Sequence, residues 1–180
     1  ASLLLDAVII MPFVFVILYL NSASKDIYYY TLLPNLAFNL WYNIYLPKRY
    51  GGTPGKLILG MQILNLNGNP IGFKEAFLRH LVMLILTLFS SVLMIDALLV
   101  ADESTFQDLG WLQQSVYLMS LSPLLFTIYT WLTNIWTWSE LIVLLTNPRR
   151  RALHDYIAGT VIVKKIYVEQ IQKEMSSELT

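Results

Sequence analysis

The chain contains no cysteine, so disulfides, thiolate nucleophiles and thiolate-bound metals are all excluded. Its two histidines, His80 and His154, belong to different segments and form no His-Glu-x-x-His pair, which removes the zinc-protease pattern. No serine lies in a Gly-x-Ser-x-Gly turn, so the hydrolase elbow is missing too. The stretch Gly51-Gly52-Thr53-Pro54-Gly55-Lys56-Leu57 approaches a phosphate loop, but Tyr50 occupies the required first glycine and Leu57 the Ser/Thr that would meet magnesium. Net charge is zero, from 12 basic and 12 acidic residues, which disfavours nucleic acid as a partner. The expectation is a protein that is not an enzyme and holds neither cofactor nor metal.

What is present in excess is apolar length. Residues 3–20, 27–46, 81–100 and 116–145 contain no Lys or Arg. At a rise of 1.5 Å per residue, about 20 helical residues cross a hydrocarbon core roughly 30 Å thick. Hydrocarbon offers no partner to a backbone amide, and the alternation of barrel strands is missing, so helices are the expected spanning form. The fourth run is longer than needed and should tilt, kink at Pro123 or continue into the interface. The expected fold is an all-α membrane domain of four transmembrane helices over residues 1–166, with a polar cytoplasmic tail at 167–180. The first run carries Asp6 and has no basic n-region, so it is read as a retained helix rather than a secretory signal.

Basic residues set the orientation. Lys48, Arg49, Lys56, Lys74 and Arg79 lie between the second and third runs, and Arg149, Arg150, Arg151, Lys164, Lys165 and Lys173 follow the fourth; only Lys25 falls elsewhere. Residues 101–114 contain Asp102, Glu103 and Asp108 and no base, as an outer loop allows. Both termini are therefore expected in the cytoplasm. The run Arg149 to Arg151 reads as a surface that meets anionic lipid headgroups.

Two segments repeat one order. Thr53-Pro54 offers a helix cap followed by proline at the first helical position, then a short turn ends near Gly60 and a loosely alternating stretch follows before the Asn67-Gly68 turn. Asn147-Pro148, a short helix, Gly159 and a Val- and Ile-rich stretch from Thr160 repeat it. We read these as short interfacial helices on the cytoplasmic side, each leading to a strand, with the two strands paired in a small sheet about an approximate two-fold axis. Independent origin of the two appendages is the plainer alternative.

Polar residues inside the runs are candidates for function. Asn35, Asn39 and Asn43, four residues apart, share one helix face, and Thr130 and Asn134 continue a similar stripe in the fourth run. Interhelical hydrogen bonding is the structural reading, and lining of a hydrated path the functional one. Of three acids in the runs, Asp96 and Glu140 sit near an interface and read as solvated. Asp6 has apolar neighbours on every side, and Arg79, or else Arg151, is its expected partner. His154 and Asp155, adjacent on a helix, point about 100° apart, so an interfacial polar face explains them better than an acid–base pair.

The segments Gly52-Thr53-Pro54-Gly55-Lys56 with Gly60 and Asn67-Gly68, then Arg79, then the continuous block at 151–163 containing Arg151, His154 and Asp155, closely resemble the motifs of the RDD family of membrane proteins. The resemblance covers most of the chain, and its C-terminal block is the specific part. That family is named for one arginine and two aspartates. By position, Asp6 is similar to the first aspartate and Asp155 to the second, while no arginine stands among the five residues before Asp6. Arg79 then becomes the expected counter-charge. The resemblance implies a multi-pass protein of the bacterial cytoplasmic (inner) membrane and cation or proton transport of the sodium–proton antiport type. Asp6, Arg79 and Asp155 would then form a charge cluster at the cytoplasmic boundary. It equally admits a non-catalytic structural or assembly subunit, working as a homo-oligomer or with companion membrane subunits.

Overall fold

A computed structural model describes residues 2–149 and 151–177; Ala1, Arg150 and residues 178–180 lie outside the described residues, taking with them one arginine of the basic run and the end of the expected tail. The fold is mostly helical, with one small sheet. Helix α1 (Ser2–Ala23) is apolar on all sides, the composition of a helix with no aqueous face. Helix α2 (Lys25–Leu40), a π-helical turn (Trp41–Tyr45) and α3 (Leu46–Tyr50) form one unbroken run, since Leu40, Tyr45 and Leu46 all keep right-handed helical angles. Pro47 accounts for the wide turn. It lacks an N–H and crowds the carbonyl four residues back, and just before it the Leu46 N–H reaches to the Trp41 carbonyl.

Helix α4 (Pro54–Ile58) leads through Gly60 to strand β1 (Met61–Asn65), and α5 (Phe73–Val100) follows. The third run, expected from residue 81, thus begins a full two turns earlier. Glu75 accepts a bond from the Gly72 N–H at 2.9 Å and Ala76 is buried, so Arg79 and His80 are helical residues rather than loop. After α6 (Glu103–Asp108), the fourth run is broken into α7 (Trp111–Leu121) and α8 (Pro123–Thr146), bent by 106°. Ser122, at φ −138 and ψ 61, shows why: the residue before a proline is driven out of the helical region. Helix α9 (Leu153–Ala158), strand β2 (Thr160–Lys164), a 3₁₀ turn (Lys165–Tyr167) and α10 (Val168–Ser177) complete the chain.

By length and composition, 2 helices, α1 and α5, are able to cross a membrane, and a third crossing is available if α7 and α8 act as one bent span. The second expected span is not among these. α2 by itself has 16 residues, two of them asparagine, short of the ~20 that a crossing takes, and the run reaches that length only through the π-helical turn and α3.

The chain divides into two compact units. One comprises Ala1–Ile10, Asn39–Val82 and Trp138–Thr180. Its core is Ile44, Ile63, Ile71 and Ala76, and it contains the sheet, in which β1 and β2 pair antiparallel with Ile63 opposite Ile162 at the centre. The two copies of the repeat take the same local form, because Gly60 (φ 65) and Gly159 (φ 63) both end a short helix in the left-handed region before a strand. With those glycines aligned, Ile63 and Ile162 are each other's counterparts. A local two-fold therefore passes through the central pair.

The other unit comprises Met11–Phe38 and Met83–Thr137, with a core of Leu93, Ala97, Leu98, Ala101, Phe106, Leu118 and Phe126. Lys25 fastens its base by donating to the Ala101 carbonyl (2.9 Å) beside Glu103 (3.6 Å). Asp102 caps α6 by accepting from the Thr105 N–H at 2.8 Å and from the Ser104 and Thr105 hydroxyls. The Ser104 hydroxyl, then the Thr105 amide and hydroxyl, lower its carboxyl to about 2 from the ordinary 3.8. A depressed native value means that the cap stabilises fully above pH 3.8 and is lost as pH falls through about 2. The Thr105 amide resonance is expected to titrate with that low midpoint; a midpoint near 3.8 would contradict the cap.

Candidate functional site

Asp6, on α1, is buried under the N-terminal end of α4. Its Oδ1 accepts from the Tyr42 hydroxyl (2.6 Å) and the Gly55 N–H (2.8 Å), and its Oδ2 from the Thr53 hydroxyl (2.7 Å). The Lys56 ammonium stands 3.9 Å from Oδ2 and donates to the Thr53 hydroxyl at 3.2 Å. The residue before α4 thus turns its hydroxyl toward Asp6 and makes no cap bond to its own helix. Burial is the largest influence on Lys56 and lowers it below the ordinary lysine range; Asp6 and Asp155 work against that shift and Arg79 adds to it. The approach of α4 to α1 is close enough that only glycine fits at position 55. Gly52, also buried, lies in the loop that turns α4 over Asp6.

Arg79, on α5, forms the second centre. Its Nη1 donates to Asp155 Oδ1 and to the Thr160 hydroxyl (2.7 Å), and its Nη2 meets His154 Nε2 at 3.0 Å. Asp155 is 2% exposed and also accepts from the Thr160 hydroxyl (2.9 Å) and the Ala152 N–H (3.3 Å). Arg151 is buried too, which corrects its reading as a lipid-facing surface residue. It donates to the Thr160 and Asp155 carbonyls, both at 3.0 Å, and its guanidinium lies 4.2 Å from the centre of the Tyr156 ring. Its fork matches two carbonyls of the turn from α9 into β2, and burial follows from that match.

Asp6 therefore pairs with Lys56, and Arg79 pairs with Asp155; the expected partnership of Asp6 with Arg79 is not the one formed. The repeat gives the reason. With Gly60 aligned on Gly159, Lys56 aligns on Asp155 and Gly55 on His154. In the first copy the long helix bears the acid and the short helix the base, and in the second the signs are exchanged. Each short helix thereby brings its own counter-charge to the long helix it covers.

Glu140, expected to be solvated, instead binds His154: its oxygens accept from the His154 backbone N–H (2.9 Å) and lie 2.8 Å from Nδ1. A guanidinium can only donate, so Nε2 is the accepting nitrogen and Nδ1 bears the proton given to Glu140. His154 and Asp155 do not hydrogen-bond each other; Nε2 is 3.7 Å from Oδ2, and both converge on Arg79. Nitrogen-15 spectra near neutral pH are expected to show the Nδ1–H tautomer of His154. An Nε2–H signal would contradict the Arg79 contact.

The polar stripes disperse. Asn39 Oδ1 lies 2.6 Å from the buried His80 Nε2, Asn43 donates to the Asn39 carbonyl (3.1 Å), and Asn35 is exposed in the other unit. Thr130 and Asn134 are exposed and donate back to the carbonyls of Phe126 (2.8 Å) and Thr130 (2.9 Å). Helix residues four apart satisfy one another locally, so shared facing in the sequence did not become a shared lining. Asp96 is exposed and accepts from Ser122 at 3.3 Å. Sequence reasoning missed Tyr42 and Thr160, whose hydroxyls carry no pattern, while the Thr53-Pro54 cap signal marked Thr53 without revealing its partner.

Long apolar helices joined to a small sheet, with Asp6 and Glu140 held by protein donors, define a helical integral membrane protein. The RDD family model matches residues 1–159, and the chain belongs to the RDD family. A search of curated proteins and a search of solved structures found no match.

Proposed function

We propose that this is a four-span protein of the bacterial inner membrane, with both termini cytoplasmic, acting as a non-catalytic structural or assembly subunit through contacts with other membrane helices. The observation that carries this reading is the closure of both charge centres: three hydrogen bonds and an ammonium surround Asp6, and Arg79, His154 and Thr160 surround Asp155 with Arg151 behind it. An ion-exchanging carboxylate needs room for a cation, and these acids are occupied. Their role is to seat α4 and α9 on the long helices. Exposed Lys48, Arg49, Lys164 and Lys165 suit anionic lipid headgroups. On α8, exposed Thr130 and Asn134 among Trp131, Ile135 and Trp138 suit a neighbouring helix, from a second copy or a companion subunit.

One observation favours sodium–proton antiport as a second reading. Lys56 is a partly buried base of lowered proton affinity beside Asp6, and loss of its proton would free the carboxylate for a cation. Proteoliposomes separate the two. The assembly reading expects the purified protein to leave imposed sodium and proton gradients intact and Asp6→Asn to change only co-purification. Dissipation of a gradient that Asp6→Asn abolishes would establish transport instead.

A further inference from the structure

The unit built from Met11–Phe38 and Met83–Thr137 encloses a cavity of about 320 Å³ that neither charge centre touches. Its walls include Leu98, Phe106 and Leu118 from the core, together with Val14 and Leu18 of α1. Val14 and Leu18 are 44% and 39% exposed, so they border both the cavity and the outer surface of a helix apolar enough to lie in lipid. The opening is thus toward the bilayer. The volume falls at the lower end of small-molecule sites, roughly 300–1,000 Å³.

Gln114 gives the cavity its chemistry. The residue is only 5% exposed and lines the cavity. Its Nε2 spends both hydrogens on backbone carbonyls, Ser22 at 3.1 Å and Phe106 at 3.0 Å, which fixes the orientation of the amide. The carbonyl oxygen Oε1 is left, and among the described residues it accepts no hydrogen bond. That oxygen faces the cavity without a protein donor, where an occupant carrying a hydroxyl or N–H would satisfy it. Asn21 adds a donor, since its Oδ1 accepts from Thr31 at 2.6 Å while its amide hydrogens make no protein bond among the described residues. No lining residue is ionisable at neutral pH, so nothing there balances a charged head.

We propose that this cavity binds an uncharged amphiphile from the bilayer, of the monoacylglycerol type, with its hydroxyl head on Gln114 Oε1 and its chain along Val14 and Leu18. Anionic lipids, fatty acids and cations are excluded by the absence of a counter-charge, and a purely apolar chain would leave the Gln114 carbonyl unsatisfied.

Trp111 lines the cavity and provides the probe. In phosphatidylcholine nanodiscs, a variant retaining Trp111 as its only tryptophan is to be titrated with brominated monoacylglycerol. Saturable quenching is expected, weakened about tenfold by Gln114→Leu, which corresponds to roughly 1.4 kcal/mol. Leu18→Trp, read through loss of bound monoacylglycerol by native mass spectrometry, is expected to empty the site. That variant keeps the Gln114 bonds and so preserves the test should Gln114→Leu misfold. Equal quenching by brominated phosphatidylcholine would mean ordinary lipid contact and overturn the proposal. Equal or stronger quenching by a brominated fatty acid, or no saturation at all, would overturn it as well.

Discussion

Asp155→Ala is expected to destabilise the protein by about 3–5 kcal/mol, because it leaves the Arg79 guanidinium buried without its counter-ion. The two side chains are 2% and 8% exposed, so water cannot replace the lost partner. The same change removes the acceptor for the Thr160 hydroxyl and the Ala152 N–H, loosening α9 from β2. Arg79→Met is expected to be similarly damaging, whereas Arg79→Met combined with Asp155→Leu should cost much less than the two singles together, since no orphaned charge remains. Thermal melts of the purified protein in one detergent measure all three. A loss below about 1 kcal/mol for Asp155→Ala would show the pair to be solvated rather than buried.

Gly55→Ala is the second large effect. An added Cβ would stand 2.6 Å from the Ser2 carbonyl oxygen and 2.8 Å from both Asp6 N and Asp6 Cγ. Two of those atoms are backbone, so no rotamer change relieves the contact. Overpacking costs about 1–3 kcal/mol, and lifting α4 from α1 would also lengthen the Gly55 N–H and Thr53 bonds to Asp6. The expected signature is non-additivity: the backbone contacts remain after Asp6→Ala, but α4, no longer held by the carboxylate, can move off them, so Gly55→Ala should then cost less than it does alone. Additive melting losses would mean that α4 is not seated through Asp6.

Much of this was legible from residue spacing. Proline and glycine act through local backbone geometry, so Thr53-Pro54, Gly60, Pro123 and Gly159 marked the short helices, their stops and the break of the fourth run. The paired strands followed from the repeated order around them. Pairing of charges was not legible in the same way. Asp6 and Lys56 are separated by an entire span, and choosing Lys56 over Arg79 required knowing which short helix covers which long one. The Asn35, Asn39 and Asn43 face was visible as a helical period, but whether an amide meets its own helix, His80 or the surroundings depends on neighbours that periodicity does not identify.

Composition and local backbone chemistry by themselves determined that the chain is helical, apolar and membrane-bound, with no thiol and no His-Glu-x-x-His pair, because those properties depend on residue type and short-range sterics. Tertiary structure alone decided that the two copies of the repeat carry exchanged charges, that Arg151 is interior, and that Gln114 presents an unmatched acceptor to a cavity. Each of those depends on which distant side chains share a low-dielectric space, where a charge or a carbonyl must find its partner within a few ångströms.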